Sequence, residues 1–344
     1  MKGRNILLIA VIAITISAST FSFYAYQVLY SPNILIDKEP QFIHIPTGSD
    51  FSDVQKILSE SDYINDLMAF SLLSKLMKYD RLVKPGRYLL QKDMNNRAAI
   101  RLLRSGEQSP VRITFNNIRL TEELPDKICS DLEIDPEELR LFLEDSAVSA
   151  RYGFNRQNFL GMFIPNTYEV YWNISKEQFL DRMKKEYDSF WNAERMDLSR
   201  KIGLTPMEVN TLASIVKAEC FHKEEAPVIA GLYINRININ MPLQADPTIV
   251  FANRDYSIHR VLEKHKEIDS PYNTYRYAGL PPGPINMPEI VYIDAVLNFE
   301  KHNYIYMCAR EDFSDYHNFT SSYTEHLRNA RSYAAALNRE KIFR

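Results

Sequence analysis

The sequence predicts an α+β fold with three parts: a single N-terminal transmembrane helix, a small βααβ module, and a larger mixed α+β domain. Three observations predict this architecture. An uncharged apolar run occupies the first thirty or so residues, short strand and helix patterns alternate over 40–110, and longer helical patterns broken by proline follow. The 344 residues, 25% charged and 45% hydrophobic, are enough for two folded domains.

The amino terminus has the pattern of a membrane anchor. No charged residue occurs between Arg4 and Asp37, and the segment Ile6–Tyr24 is apolar over a length that spans hydrocarbon as one helix. Basic residues precede the run, at Lys2 and Arg4, and the next charges are Asp37, Lys38 and Glu39. The positive-inside bias then predicts a cytoplasmic tail at 1–5, a transmembrane anchor at 6–30 and an extracytoplasmic body.

A cleaved signal peptide is the alternative interpretation of this segment. Ser17, Ala18 and Ser19 are small enough for a cleavage site. The apolar run continues past them through Val28 and Leu29, which favours the uncleaved anchor.

Composition excludes several classes of function. The 41 Lys and Arg stand against 44 Asp and Glu, and a net charge of -3 provides no electrostatic surface for nucleic acid. The three cysteines show neither a disulfide framework nor zinc-ligand spacing. We find no glycine-rich nucleotide loop and no His-x-x-x-His pair beside a Glu, so the sequence predicts no cofactor and no metal.

Residues 40–110 predict the small module. A strand at Phe42–Ile45 is followed by a helix capped by Ser49 or Asp50, a second helix near 66–78, and a strand at 87–90. A third helix is predicted around 97–104, closed by a glycine. The order strand, helix, helix, strand is that of a LysM-like carbohydrate-binding module.

The remaining residues, 111–344, predict the larger domain. It begins with a strand at Val111–Phe115, continues through a mostly helical part at 116–200, and ends in a core at 203–344. The Pro-Asn-Thr-Tyr segment at 165–168 is interpreted as a plain turn.

One carboxylate stands out in the core. Thr205, Pro206 and Glu208 form a helix start with a capping box, and the apolar positions of the following helix lead at helical spacing to Glu219. A carboxyl on the apolar face of a helix is desolvated, so its pKa rises and it can act as a general acid. Asn210 and Lys217 are predicted to mark the opposite, solvated face.

A structural role for Glu219 is the competing interpretation, in which the carboxylate lies against an arginine such as Arg236 or at a wet helix end. The loops that follow favour the catalytic role. They are locked by proline and rich in amides, hydroxyls and tyrosines, which hydrogen-bond and stack on sugars. These loops are Met241–Thr248, Ser270–Tyr275 and Gly279–Pro284.

Taken together, these motifs resemble the YceG-like family of endolytic murein transglycosylases. The resemblance covers nearly the whole chain and rests on separated motifs in order: Leu212–Glu219, Asn235-Arg236, Leu243–Thr248, and Ser270–Tyr275 running into Gly279–Gly283.

The resemblance implies an activity. Family members are lyases that cleave nascent glycan strands internally, between N-acetylmuramic acid and N-acetylglucosamine, and leave 1,6-anhydromuramyl ends. It implies that Glu219 is the acid/base. It implies glycan strands and the inner membrane as partners, with peptidoglycan synthases as further candidates, and a periplasmic catalytic domain. The substrate-binding candidates are Gln244, Asp246, Tyr272, Asn273, Thr274, Asn166 and Tyr168.

The chain departs from the family pattern at two acidic positions. Leu160 and Asn166 stand where the family often has carboxylates, so no acidic role is carried over to them. The residue after the glutamate, often Thr or Ala, is Cys220.

Three other functions stay open at this point. Asp246 as a second carboxylate would make the enzyme a muramidase that uses water. A non-catalytic, membrane-anchored scaffold that binds peptidoglycan would not need Glu219. A thiol mechanism would use Cys220 with His222 as base, provided that the helix stops at Cys220.

Overall fold

The computed structural model describes residues 2–36, 39–258 and 260–340, which form two compact units. Unit 1 comprises residues 1–113, 131–134 and 169–174, and unit 2 comprises 114–130, 135–168 and 175–344. The predicted cytoplasmic start at Met1 and the charged pair Asp37 and Lys38 lie outside the described residues.

The N-terminal helix of unit 1 is the predicted apolar segment. Helix α1 spans Lys2–Tyr30, and its residues Gly3–Tyr30 are long and apolar enough to cross a membrane. Most of its large apolar side chains are exposed, as expected of a helix whose surroundings are lipid.

The small module has the predicted βααβ order, followed by the predicted third helix. Strand β1 pairs antiparallel with β2, with Ile45 opposite Gly86. Likeness to a LysM module stays a prediction. The elements are β1 (Gln41–Ile45), α2 (Phe51–Glu60), α3 (Leu67–Leu76), β2 (Gly86–Leu90) and α4 (Asn96–Ser105).

The end of helix α1 packs against the small module. Val28 is buried in the same apolar cluster as the module core. Beside it, the buried side chain of Asn96 donates to the carbonyl of Val28 (3.0 Å) and accepts from Asn33 (2.6 Å). Asn33 in turn accepts from the backbone N–H of Asp66, at the start of α3 (2.7 Å). Because buried amides need partners, these bonds dock the end of α1 onto the module.

The predicted helical part at 116–200 contains one strand that the sequence did not predict. Strand β4 lies where we expected a turn, and it forms a two-stranded sheet with β3. Thr114 and Thr167 share a hydrogen bond of 2.8 Å, and Tyr168 stacks on Phe115 at 5.3 Å. The elements are β3 (Val111–Phe115), α5 (Leu124–Ile128), α6 (Pro136–Glu144), α7 (Ser146–Arg151), β4 (Asn166–Val170), α8 (Lys176–Phe190) and α9 (Ala193–Lys201).

The core of unit 2 is built around one helix. Helix α10 packs against α11 and α14, and every residue from Val209 to Val216 is buried. The elements are α10 (Pro206–Glu219), α11 (Ala226–Asn238), α12 (Asp246–Asn253), α13 (Glu263–Lys266), α14 (Ile290–Leu297), β5 (Tyr306–Ala309), β6 (His317–Thr320) and α15 (Tyr323–Arg339).

The predicted solvated face of α10 is wrong. Asn210 is 1% exposed, and the Lys217 side chain is mostly covered, donating to the carbonyl of Met287 (3.0 Å) and pairing with Glu289 (3.3 Å). From Val209 to Val216 the helix therefore has no face toward water, because neighbouring elements cover it.

Candidate active site

Glu219 is the last residue of α10. The helix starts as predicted: Thr205 accepts from the N–H of Glu208, whose carboxylate accepts from the N–H of Thr205 (2.7 Å). The buried positions Leu212, Ile215 and Val216 carry the helix through the core. Cys220 then leaves the helix with extended backbone angles (φ -96°, ψ 113°), so the Glu219 side chain emerges where the buried helix stops.

The surroundings of the Glu219 carboxyl favour its protonated form. Its residue is half-buried, and the hydroxyl of the buried Tyr233 donates to its Oε1 (3.2 Å). Burial raises the pKa of Glu219 to about 7, with a further upward contribution from the charge of Asp246. The Tyr233 hydrogen bond and the Arg236 charge act in the opposite direction but are outweighed.

Arg236 is not a salt-bridge partner that neutralises Glu219. Its guanidinium donates from Nε to the carbonyl of Ile305 (2.7 Å) and from Nη1 to the carbonyl of Leu243 (2.6 Å). Among the described residues no ion pair joins it to Glu219 within 4 Å. The geometry therefore does not support the form of the competing interpretation in which Arg236 pairs with Glu219, whereas the other form, a carboxylate at a helix end, agrees with the position of Glu219 as the last residue of α10.

Asp246 stands on the loop that faces Glu219. It is exposed, opens helix α12, and accepts from the hydroxyl of Tyr275 (2.5 Å). The preceding Gln244 has a left-handed backbone (φ 52°) held by a bond from its N–H to the carbonyl of Thr274 (3.0 Å). This turn directs Gln244 and Asp246 into the same region as Glu219.

Asn273 and Thr274 stabilise the loops around Asp246 through hydrogen bonds. Asn273 is fully buried and donates to the carbonyls of Lys266 and Ile268 (2.8 Å each). The Thr274 hydroxyl accepts from the N–H of Ala245 (3.0 Å). Their hydrogen-bonding groups are thus engaged within the protein, and their predicted contact with substrate stays a prediction.

Three adjoining cavities form a groove through Glu219. Cavities of about 450 and 280 Å³ both include Glu219 and Asp246 in their walls. A third, of about 350 Å³, shares Arg119 and Phe251 with the first and is lined by Tyr272. Glu219 and Asp246 therefore stand between cavities on either side, an arrangement that suits a chain-like substrate.

Four of the predicted substrate-binding residues line none of the three cavities: Asn273 and Thr274, described above, and Asn166 and Tyr168. Asn166 is exposed on β4 and bonds to the N–H of Thr167 (2.8 Å). Tyr168 is buried, and its hydroxyl donates to the carbonyl of Ile164 (2.6 Å). Within the described ranges neither lines any of the three cavities.

Sequence reasoning missed Tyr233 and Tyr275 as neighbours of the two carboxylates. Tyr233 lies on the apolar pattern of α11 one turn before Arg236, which could have identified it as facing α10. Tyr275 is the last residue of the Ser270–Tyr275 motif. Its place in that motif could have identified it as a residue of the site. No group of three or more His, Cys, Asp or Glu side chains within residues 2–36, 39–258 and 260–340 could hold a metal.

Comparison with known proteins identifies the family to which the chain is similar. The model of the YceG-like family matches residues 43–332. An endolytic murein transglycosylase from Bacillus subtilis (strain 168) is 29% identical over 312 residues, covering 86% of this chain and 85% of the relative. One from Streptococcus pneumoniae serotype 2 is 25% identical over 324 residues, and the match covers 85% of this chain but 58% of the relative.

A solved structure agrees with the sequence matches. The crystal structure of a yceG-like protein from Listeria monocytogenes has a TM-score of 0.57 and 27% identity, covering 85% of this chain and all but 1% of its own. Because the family model spans most of the chain, the resemblance seen in the motifs is confirmed: the chain belongs to the YceG-like family.

Proposed function

We propose that this protein is a membrane-anchored, endolytic lytic transglycosylase that cleaves nascent peptidoglycan strands with Glu219 as acid/base. The observation that carries the proposal is the Glu219 carboxyl, whose pKa is raised to about 7 in a groove with cavities on both sides. The name endolytic murein transglycosylase, borne by the Bacillus and Streptococcus relatives, supports the same reaction and substrate.

The reaction needs one group that first gives and then takes a proton. The Glu219 carboxyl protonates the glycosidic oxygen between N-acetylmuramic acid and N-acetylglucosamine, and the C1–O bond breaks. The C6 hydroxyl of the muramyl sugar then attacks C1, and the Glu219 carboxylate takes the hydroxyl proton. The products are a free C4 hydroxyl and a 1,6-anhydromuramyl end, with no water consumed. A carboxyl with a pKa near neutral serves both steps.

Two alternatives remain to be distinguished by experiment. Asp246 lies in the same groove, and its charge acts on Glu219, so a two-carboxylate muramidase that activates water is the second candidate. The third is a non-catalytic scaffold that binds peptidoglycan. Gln244, Asp246 and Tyr272 line the groove and are our candidates for holding the sugars.

The thiol mechanism is not favoured by the geometry. The helix does stop before Cys220, the condition that this mechanism required. The thiol nevertheless donates to the backbone carbonyl of His222 (2.8 Å), while Nε2 of the imidazole bonds to the carbonyl of Ser314 (2.8 Å). Burial raises the pKa of Cys220 to about 11, the opposite of what a thiolate nucleophile needs.

We further propose that helix α1 is an uncleaved anchor in the inner membrane. Residues 1–5 then lie in the cytoplasm and both compact units lie in the periplasm, where nascent glycan and the synthases that make it are within reach. The positive-inside bias supports this orientation, and the docking of Val28 and Asn33 onto the module supports retention of the segment.

Replacement of Glu219 by glutamine tests the acid/base assignment. Glu219→Gln removes the proton donor but keeps shape, so the protein should fold and bind glycan while turnover falls by about 100- to 10,000-fold. Glu208→Gln is the matched control, because glutamine at this position preserves the capping box of the same helix. Fragment release from uncrosslinked glycan measures both, and an unchanged rate in Glu219→Gln would favour the scaffold.

The chemical structure of the newly formed chain ends distinguishes a transglycosylase from a muramidase. Cleavage in ¹⁸O-labelled water should give 1,6-anhydromuramyl ends without label, because the nucleophile belongs to the substrate. Mass spectrometry of the fragments reads this directly. Reducing ends that carry ¹⁸O would identify a hydrolase, and Asp246→Asn would then be the first variant to test.

The raised pKa of Glu219 predicts a specific pH dependence. Between pH 4.5 and about pH 7 the Glu219 carboxyl keeps its proton in the folded protein but loses it in the unfolded chain. The free energy of unfolding therefore falls as pH rises through this window. Glu219→Gln should therefore be more stable than wild type by about 1–3 kcal/mol near pH 8, with the difference vanishing toward pH 4.5. Over the same range kcat/KM of the wild type should decline as the acid form is lost. Unfolding curves across this range measure the effect, and a pH-independent difference would contradict it.

Replacement of Cys220 tests the thiol mechanism. Cys220 is 8% exposed, so Cys220→Ala should retain most activity and lose about 1–2 kcal/mol of stability to the small cavity. Turnover and thermal unfolding of the purified variant measure the two effects. Abolished turnover in a folded Cys220→Ala protein would revive the nucleophilic thiol.

Retention of the anchor can be read from the native protein. We expect it to fractionate with membranes and to keep the segment through Tyr30, because the apolar run has no convincing cleavage site and its end is docked. Amino-terminal sequencing of protein purified from its own cells measures this. A sequence that begins near residue 20 would show a cleaved signal peptide instead.

A further inference from the structure

One side of helix α3 in the small module is apolar and exposed. Met68, Leu72 and Leu76 recur every four residues and are 78%, 45% and 71% exposed. Residues at this spacing lie on one side of a helix, so the three side chains form a stripe, which we call the apolar face of α3. Phe70 and Leu73, on the other side, are buried in the module core. An exposed apolar face of this kind marks a surface that binds lipid or another protein.

The length of α1 indicates which of its turns lie among the lipid headgroups. A hydrocarbon layer of about 30 Å takes about 20 helical residues, so a span that begins after Arg4 leaves the hydrocarbon near Tyr24. The remaining turns of α1, which end at Tyr30, rise about 9 Å. That rise is comparable to the depth of one headgroup layer.

The small module packs against these same turns of α1. A cavity of about 170 Å³ is lined by Tyr24 and Gln27 of α1 and also by Asp66, Ala69 and Asn96 of the module. Helices α3 and α4 both contact α1, and the first turn of each lies at this junction. The apolar face of α3 therefore begins at the depth of the headgroups.

The segment that contains α3 and α4 is basic. From Leu67 to Ser105 there are nine Lys and Arg against two Asp, in a chain whose net charge is -3. Asp66, which directly precedes α3, is engaged as the cap of that helix. Basic side chains beside an apolar helix face are the combination that binds a membrane with anionic headgroups. Exposed members that form no ion pair within the described ranges include Lys75, Arg101 and Arg104.

We propose that the apolar face of α3 inserts among the lipid headgroups beside the anchor, and that the basic residues around it bind anionic phospholipid. Lipid is the occupant because the face begins where α1 leaves the hydrocarbon, and because the neighbouring charges complement phosphate. The inference rests on the proposed topology of α1 and adds to it. The chain then has a second, peripheral contact with the bilayer, which keeps the small module at the membrane surface.

Fluorescence quenching of an introduced tryptophan measures the depth of α3. Full-length Leu72→Trp protein is reconstituted in phosphatidylcholine vesicles with about 30% phosphatidylglycerol, with acyl chains either unmodified or brominated near the glycerol. We expect bromine to reduce the added fluorescence by about half, because the apolar face of an interfacial helix reaches the boundary between headgroups and acyl chains. Met68→Trp, at a second position on the same face, should respond alike. Wild-type protein, which contains Trp172 and Trp191, gives the background.

A tryptophan on another helix of the same module is the matched control. Lys56 is exposed on α2, whose main neighbours in the module include β1 and α3. Lys56→Trp should therefore show little quenching by brominated lipid. A thermal melt of each variant shows that the module is folded.

Charge reversal tests the role of anionic lipid. In the Leu72→Trp protein, Lys75→Glu together with Arg101→Glu should reduce the quenching about 2-fold, whereas Lys75→Arg with Arg101→Lys should preserve it. Omission of phosphatidylglycerol, or an increase in salt concentration, should have the same effect as the charge reversal.

Several results would overturn the inference. These are equal quenching of the α3 and α2 tryptophans, no quenching at either α3 position in folded protein, or quenching that ignores charge reversal. A face covered by a second copy of the chain or by another protein would also stay unquenched. The proposed function fails separately. Flotation of the full-length protein with the vesicles tests the anchor, and its absence would remove both the anchor and this inference. If the α3 tryptophans are quenched as expected while wild-type protein releases no murein fragments, the membrane contact stands and the transglycosylase assignment falls.

Discussion

The chemistry proposed for unit 2 depends on the desolvation of one carboxyl at the end of a buried helix. A glutamate on a surface helix keeps its ordinary pKa, because water stabilises the charge. Here eight consecutive residues of α10, from Val209 to Val216, are buried, so the helix runs through the core and only its last turn, which ends at Glu219, lines the groove. The packing of α11 and α14 around α10 therefore contributes to the burial that raises the pKa of Glu219.

The β5–β6 hairpin, which lines the smaller cavity beside Glu219, is bonded to the segment that follows helix α10. His317 of strand β6 bonds to Glu225 through both its ring (2.9 Å) and its backbone N–H (2.9 Å). His222 stacks on Tyr316, with ring centres 3.9 Å apart. His317 also lines the smaller cavity beside Glu219. The segment after α10 and the β5–β6 hairpin are thus coupled, and a change in one would alter the shape of the groove at the carboxyl.

The proline- and glycine-rich loop at 279–284 has a structural reason for its composition. A Cβ on Gly283 would lie 2.1 Å from the backbone oxygen of Gln157, so no other residue fits without displacing backbone. Two residues on, the N–H of Ile285 donates to the hydroxyl of Ser214 (3.0 Å). Close approach on one side and a bond to α10 on the other bring Asn286 against the helix that ends at Glu219.

Local patterns predicted what depends on local interactions. The capping box at Thr205, the end of the apolar stripe at Glu219 and the order of the small module all follow from spacing and turn chemistry. The errors arose where distant segments decide. Strand β4 exists because β3 is there to pair with it, and Asn210 is buried because other elements cover a face that periodicity assigns to water.

Residues that reach the groove from separate loops were the hardest to predict from the sequence. Tyr256 and Asn286 occupy no periodic position and come from separate loops, so only the folded chain shows that they share a cavity with Glu219. The same residues are unfavourable for folding, since a raised carboxyl pKa and unpartnered polar atoms each lower stability. The extensive burial of apolar side chains around α10 offsets that loss. A groove that favours the protonated form of its carboxyl is suited to a reaction that begins with donation of a proton.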